Sequence, residues 1–170
     1  MDGFGNVSWF CSNSKMTVEE CRELDINRFV RAGMIAPLQI GTVTWRDQHT
    51  GKVVASIDFL TKPVGDSLEL LLKYRVQRQE NVNLPIRLQT TAPHFGGIRW
   101  WFTCPLLNDG LPCRRRVEKL YLRGKFFGCR HCHDLTYRSC QEAHQTERIF
   151  AKLGIPADRE LLSQFRSRFG

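Results

Sequence analysis

Between residues 40 and 88, apolar and polar side chains alternate in four runs. Val43 and Trp45 share a face in the first, and Val53, Ala55, Ile57 and Phe59 alternate in the second. In the third, Leu68, Leu70, Leu72, Tyr74 and Val76 oppose Glu69, Lys73, Arg75 and Gln77; Val82, Leu84, Ile86 and Leu88 make the fourth. A period of two is the mark of β-strands with one buried face. The connections 47–51 (DQHTG) and 63–66 (PVGD) hold the Asp, Gly and Pro that turns select. Strands joined by short polar turns predict an antiparallel meander. Pro85 cannot donate to a ladder, which places its strand at an edge or a bulge. There is no Gly-rich phosphate loop, no βαβ rhythm and no internal repeat.

The flanks change period. Residues 1–15 are rich in Gly, Ser and Asn and read as a loosely ordered arm. Residues 17–20 (TVEE) match a capping box, with Thr17 as N-cap and Glu20 reaching back. Val18, Cys21 and Leu24 follow at helical spacing. Asp25 caps a second short helix, with Ile26, Phe29 and Val30 on one face and Gly33 at its end. Two short helices in succession admit a helix-turn-helix reading beside one in which they cover the sheet. After residue 133, Asp134 or Thr136 caps a helix running to about Leu153 and stopped by Gly154 and Pro156. A last helix turns Leu161, Leu162 and Phe165 inward and Arg159, Arg166 and Arg168 outward.

The stretch 98–132 continues in strands and carries the chemistry. Val117, Leu120 and Leu122 are apolar around Tyr121; Arg123, Gly124 and Lys125 form a hairpin turn, and Phe126 and Phe127 begin the return. Cys104, Cys113, Cys129 and Cys132 follow C-x8-C-x15-C-x2-C, each half leaving a turn. This is the logic of a zinc ribbon, in which two hairpin ends supply four thiolates to one tetrahedral Zn²⁺. The total of seven cysteines is odd, so they cannot all pair within one chain. Eight residues intervene in the first half where two are usual. Pro105 follows Cys104 as in many knuckles, and Asn108, Asp109 and Gly110 supply a turn that brings Cys113 back. One structural zinc with four protein ligands leaves no position for activated water, so metal catalysis is not implied. His131 and His133 flank the last cysteine; either could replace a cysteine as ligand, but the expectation is that they are exposed or lie just outside the coordination sphere. Cys140 and His144 stand at i, i+4, a spacing that can share a metal, but the expectation is a core cysteine and a surface histidine. Cys11 and Cys21 read as ordinary small residues.

The resulting expectation is an α+β protein: short N-terminal helices, an antiparallel meander, four-cysteine zinc-ribbon hairpins and C-terminal helices. Its segments are 1–97, 98–133 and 134–170, and 170 residues suffice for a domain plus a small module.

The motifs GGIRWWFTCP (96–105), RRVEKLYL (115–122) and FGCRHCHDLTYRS (127–139) resemble an uncharacterised bacterial zinc-ribbon family. The resemblance is strong over about residues 90–145. It implies a metal at Cys104, Cys113, Cys129 and Cys132, and no particular activity. Where that family has a Pro-Gly-rich turn after KLYL, this chain has Arg123, Gly124 and Lys125, a shorter and more basic tip.

Charge adds a partner. The net charge is +8, and residues 99–130 alone hold eight Lys/Arg against two Asp/Glu. A focused basic patch attracts a polyanion. Arg99, Arg114, Arg116, Lys119, Arg123, Lys125 and Arg130 lie on or beside the ribbon, interleaved with Trp100, Trp101, Phe102, Tyr121, Phe126 and Phe127. Cations for phosphates and aromatics for bases are the ingredients of nucleic-acid surfaces. On a strand Arg114 and Arg116 share a face and Arg115 takes the other; Trp100 and Trp101 likewise diverge, one toward the core and one, Trp101, toward a partner.

The expected function is therefore non-catalytic binding of DNA or RNA through the basic aromatic hairpin. The alternative is a protein-interaction module docking on or blocking a nucleic-acid-handling complex, of phage or mobile-element type. A nuclease is the lesser alternative, because Asp58, Glu69, Asn108 and Asp134 show no recognised catalytic spacing. No membrane or small-molecule partner is implied. The first residues lack a basic stretch followed by an apolar one, and no run approaches a membrane span, so the expected location is the cytoplasm.

Overall fold

The computed structural model describes residues 15–76 and 80–142. In chain order they form a single 3₁₀ turn (Val18–Glu20), β1 (Arg22–Asp25), α1 (Ile26–Arg31), β2 (Ile40–Arg46), β3 (Val53–Val64), β4 (Ser67–Val76) and β5 (Glu80–Thr91). Then come β6 (Arg99–Thr103), β7 (Leu107–Asn108), β8 (Leu111–Pro112), β9 (Arg116–Val117), β10 (Lys119–Arg123) and β11 (Phe126–Gly128). The runs of period two become β2 to β5, which pair antiparallel in sequence order. β6 and β9 extend them to a six-stranded sheet, and β1, β10 and β11 form a three-stranded one.

Local chemistry sets the connections. The Asp47 carboxylate accepts the amides of His49 at 3.1 Å and Thr50 at 2.7 Å, and Gly51 takes the left-handed backbone (φ 66°) that closes the turn. Pro85 stands opposite Leu71 of β4, and β6 joins β5 along Leu88–Thr91, so the missing N–H falls outside that ladder.

Register carries the apolar set onto one face. Phe59 lies opposite Leu72, Leu72 opposite Leu84, and Leu88 opposite Phe102, and all are buried. The small sheet and α1 cover this face. Leu24, Leu120 and Phe127 join its core, with Phe127 between the rings of Trp45 (6.3 Å) and Tyr74 (5.7 Å). Two polar contacts fix the layers: Trp45 Nε1 donates to the Glu23 carbonyl at 3.1 Å, and the Tyr74 hydroxyl to the Lys125 carbonyl at 2.7 Å. Burial pushes the Tyr74 phenol up to about 12, so it remains a donor across the physiological range. As the sequence indicates, Asp25 caps α1 by accepting the Asn27 amide at 2.8 Å. The helix turns Phe29 edge-on to Phe59 (5.3 Å) and Phe102 (5.9 Å).

The α+β expectation is overturned. Strands dominate the described residues, and their complete helical elements are the 3₁₀ turn and the six-residue α1. The helix expected from Thr17 to Leu24 stops after one 3₁₀ turn, and Arg22–Asp25 is a strand, because Leu24 pairs opposite Leu120 and Glu23 opposite Tyr121. A sheet partner nearly a hundred residues away outcompetes a local capping pattern, and the helix-turn-helix reading falls with it. C-terminal helices are not part of this β fold as described: helical backbone begins at residue 138 and is followed to 142. The continuation to Leu153, the last helix with Leu161, Leu162 and Phe165, the arm at 1–14, Cys11 and His144 lie outside the described residues.

Residues 20–134 form one compact unit. A boundary at 97/98 separates β5 from β6, which are bonded neighbours in one sheet. The described residues of the second unit are 15–19 and 135–142, where the Val18 amide donates to the Thr136 carbonyl at 2.9 Å and the Arg138 amide to Glu19 Oε2 at 3.1 Å. No helix among the described residues is long and apolar enough to cross a membrane.

Phe29 is where α1 meets both halves of the core. Phe29→Ala should lower unfolding free energy by about 3–5 kcal/mol, read from urea titration by circular dichroism.

Candidate metal centre and basic surface

Four thiols converge where the two sheets end. Cys104 leaves β6 and Cys113 precedes β9; Cys129 leaves β11 and Cys132 lies in the following turn. The chain passes between sheets at Glu118, the single residue separating β9 from β10. Both hairpins therefore deliver cysteines to one place.

The long first knuckle is itself a hairpin. Leu107 pairs with Pro112 and Asn108 with Leu111, around Asp109 and Gly110, both left-handed (φ 50° and 78°). Asp-Gly is the dipeptide that such a two-residue turn favours. The Cys113 amide donates to the Leu106 carbonyl and the Cys104 amide to the Arg115 carbonyl, each at 2.9 Å. The eight intervening residues fold back on themselves and bring Cys113 Sγ within 4.8 Å of Cys104 Sγ.

All four Sγ atoms lie within 4.8 Å of one another, with Cys104 to Cys132 and Cys113 to Cys129 at 3.9 Å. Sulfurs about 2.3 Å from a common tetrahedral ion stand about 3.8 Å apart, whereas a disulfide needs about 2.05 Å. The cluster is reduced and could hold a metal ion. The Cys129 amide points at Cys104 Sγ (3.3 Å) and the Cys132 amide at Cys129 Sγ (3.4 Å), which offsets thiolate charge. A hydrogen bond from the Cys104 thiol holds Cys129 down to about 4, and the same bond, reinforced by burial, pushes Cys104 up. Burial pushes Cys132 up to about 12. Without a metal, neighbouring thiols keep their protons to stabilise one thiolate; a cation would have to displace them.

The group of four thiols does not include the histidines. His131 is exposed. His133 is buried beside the cluster, where its Nε2 donates to the Phe126 carbonyl at 3.2 Å and burial lowers its pKa below the usual imidazole value. Cys140 is exposed; Cys21 is half-buried, and burial raises its thiol pKa. Gly128 has no room for a side chain, because a Cβ there would run into Leu106 and His133.

The basic residues separate into two groups. Arg99 pairs with Glu118 at 3.2 Å and lies 4.2 Å over the Trp101 ring. Lys119 pairs with Glu23 at 2.9 Å and lies 3.9 Å from Asp25; its hydrogen bond to Glu23 raises its pKa. Lys125 pairs with Glu80 at 2.6 Å, and Arg123 donates to the His133 carbonyl, tying the hairpin tip to the last knuckle. Arg130 is half-buried beside Cys129 in sequence. Much of the hairpin's charge thus joins structural elements, which composition does not reveal. Arg114, Arg115 and Arg116 are exposed and have no acidic partner among the described residues. They do not alternate as on a strand: Arg114 is left-handed (φ 51°) and β9 starts at Arg116. The tryptophans do diverge. Trp100 packs against the core, and Trp101 faces outward with Nε1 donating to Thr91 Oγ1 at 2.9 Å. Tyr121 and Phe127 are buried, and Phe126 is exposed. Asp58 accepts the Thr42 hydroxyl at 2.7 Å, Glu69 pairs with Lys62 at 2.9 Å, and Asp134 lies in the turn after Cys132.

Comparison with known proteins gives no match: no family model, no curated protein and no solved structure is recognisably similar to this chain.

Cys129→Ser should reduce bound metal from about one ion per chain to a small fraction by elemental analysis, with a fall in Tm. Gly128→Ala should keep all four thiols yet lower stability by about 1–3 kcal/mol through the forced shift of Leu106 and His133, measured by thermal melting of the metal-loaded protein.

Proposed function

We propose that this is a non-catalytic, zinc-stabilised nucleic-acid-binding protein of the cytoplasm. Four soft thiolates in a tetrahedral arrangement favour Zn²⁺, which meets this geometry without redox chemistry. Cys104, Cys113, Cys129 and Cys132 would hold it, and with four protein ligands its role is to fix the ends of the two sheets.

The observation that carries the nucleic-acid reading is the exposed, acid-free run Arg114, Arg115 and Arg116 directly after a ligand cysteine. Cations held on a rigid knuckle keep their positions when a polyanion arrives, so little ordering entropy opposes contact. The net charge of +8 adds long-range attraction. A second reading, docking on a protein of a nucleic-acid-handling complex, is favoured by the apolar tip of the first knuckle, where Leu107 is 66% and Leu111 72% exposed.

Salt separates the two. Binding to oligonucleotides, followed by fluorescence anisotropy of the zinc-loaded protein, should weaken linearly in log–log form with salt, at about 0.7–0.9 per phosphate contact. Arg114→Glu with Arg115→Glu should weaken it several-fold with metal content unchanged. Absence of oligonucleotide binding at low salt would reject the nucleic-acid reading. Loss of partner capture in Leu107→Asp with Leu111→Asp would then support docking.

A further inference from the structure

The six-stranded sheet has a second face. Its core-facing residues alternate with an outward set, and from β3 to β9 that set holds six Lys/Arg against two acids, Asp58 and Glu69. Both acids are engaged: Glu69 with Lys62 at 2.9 Å, and Asp58 with the Thr42 hydroxyl at 2.7 Å. Lys73, Arg87 and Arg116 are exposed with no acidic partner among the described residues, and Arg75 Nε is held by Asn81 Oδ1 at 3.1 Å. None of these cations except Arg116 belongs to the hairpin cluster that sequence singles out. They come from strands far apart in the chain, and the sheet gathers them.

The same face carries an aromatic platform. Trp101 lies opposite Gln89, two residues along β5 from Arg87. Its indole is fixed by the bond to Thr91, and the Arg99 guanidinium covers it at 4.2 Å. Beside the cations, Lys73, Arg75, Asn81, Asn83 and Asp58 line a shallow recess of about 310 Å³. Asparagine amides offer both donors and acceptors, as base edges require. Geometry selects the form of the partner. Six strands about 4.8 Å apart span roughly 24 Å, twice the about 12 Å width of a B-form major groove, so the face cannot enter a duplex. A base stacked on Trp101 or Arg99 must already be out of its helix, which is how sheet-based modules take single strands.

We propose that the outward face of the six-stranded sheet binds a single-stranded nucleic acid, with Arg99 and Trp101 stacking a base and Lys73, Arg75, Arg87 and Arg116 holding the backbone. This rests on the nucleic-acid reading above and moves its centre from the hairpin tip to the sheet.

The test uses the full, zinc-loaded chain and labelled 20-residue oligonucleotides: single-stranded DNA, single-stranded RNA and duplex DNA. Lys73→Glu with Arg87→Glu should weaken single-strand binding about tenfold or more and reduce the salt slope by about 1.4, two contacts at about 0.7 each. Circular dichroism and metal content should not change, since neither side chain has an ion-pair partner among the described residues. Trp101→Leu should weaken binding about tenfold at unchanged salt slope, because stacking releases no counterions. Tighter binding of RNA than of DNA would assign contacts to the 2′-hydroxyl; equal binding would assign them to phosphate and base. Either outcome supports the sheet face when the charge variant is defective. If the wild type binds while Lys73→Glu with Arg87→Glu retains its affinity and slope, the sheet face is rejected and the nucleic-acid reading survives. Duplex bound as tightly as single strands rejects the single-strand assignment. No binding by the wild type at low salt rejects both.

Discussion

Four sulfurs within 4.8 Å of one another stand where the ends of two different sheets meet, close enough to hold one metal ion. Cys104 and Cys113 belong to the end of the large sheet, Cys129 and Cys132 to that of the small one, and the chain crosses between them at Glu118. The strands involved are short: β9 has two residues and β11 three. Ladders of that length contribute little by themselves, so the crossing relies on the burial of Phe127 and Leu120 behind it, to which an ion held by the four thiols would add. The packing around Gly128 is close at the same end. Leu106 of the first knuckle and His133 of the second meet where any side chain at 128 would stand.

Rigidity at this end has an electrostatic counterpart. Lys119 ties β10 to Glu23 of β1 within the small sheet, Lys125 links that sheet to Glu80 of the large one, and Arg123 reaches the His133 carbonyl. These pairs are partly exposed, each worth on the order of 0.2–1 kcal/mol, so they orient the hairpin more than they stabilise it. A cation already facing a carboxylate offers a phosphate less than a free one does. Among the described residues, the Arg114 to Arg116 turn and the outward face of the large sheet carry exposed cations with no acidic partner. The two surfaces meet at Arg116, which β9 places opposite Thr103 of β6.

Part of this architecture was legible along the chain because it is encoded locally. The period of two from Ile40 to Leu88, the Asp47 turn, the Asp25 cap and the Arg123 to Lys125 hairpin all involve neighbours within a few residues. The four cysteines were legible for a different reason: thiols at ribbon spacing in a chain with an odd total have few other uses. β1 was not legible, since the 17–20 capping pattern is a local signal and the pairing of Leu24 with Leu120 is not. Nor was the division of the basic residues, because Glu23 and Glu80 meet Lys119 and Lys125 only across the fold.

By itself, then, the sequence determined which residues alternate, where the chain turns, which four side chains have metal-ligand chemistry, and how much positive charge the molecule carries. Tertiary structure decided that the lead-in is a strand, that the eight-residue knuckle closes as a hairpin, and which cations remain open to a partner. The physical reason is range. Alternation, capping and turn chemistry act over one to four residues, whereas the partner of a strand, the ligand set of a centre and the counter-ion of a lysine are fixed only when distant segments share one core.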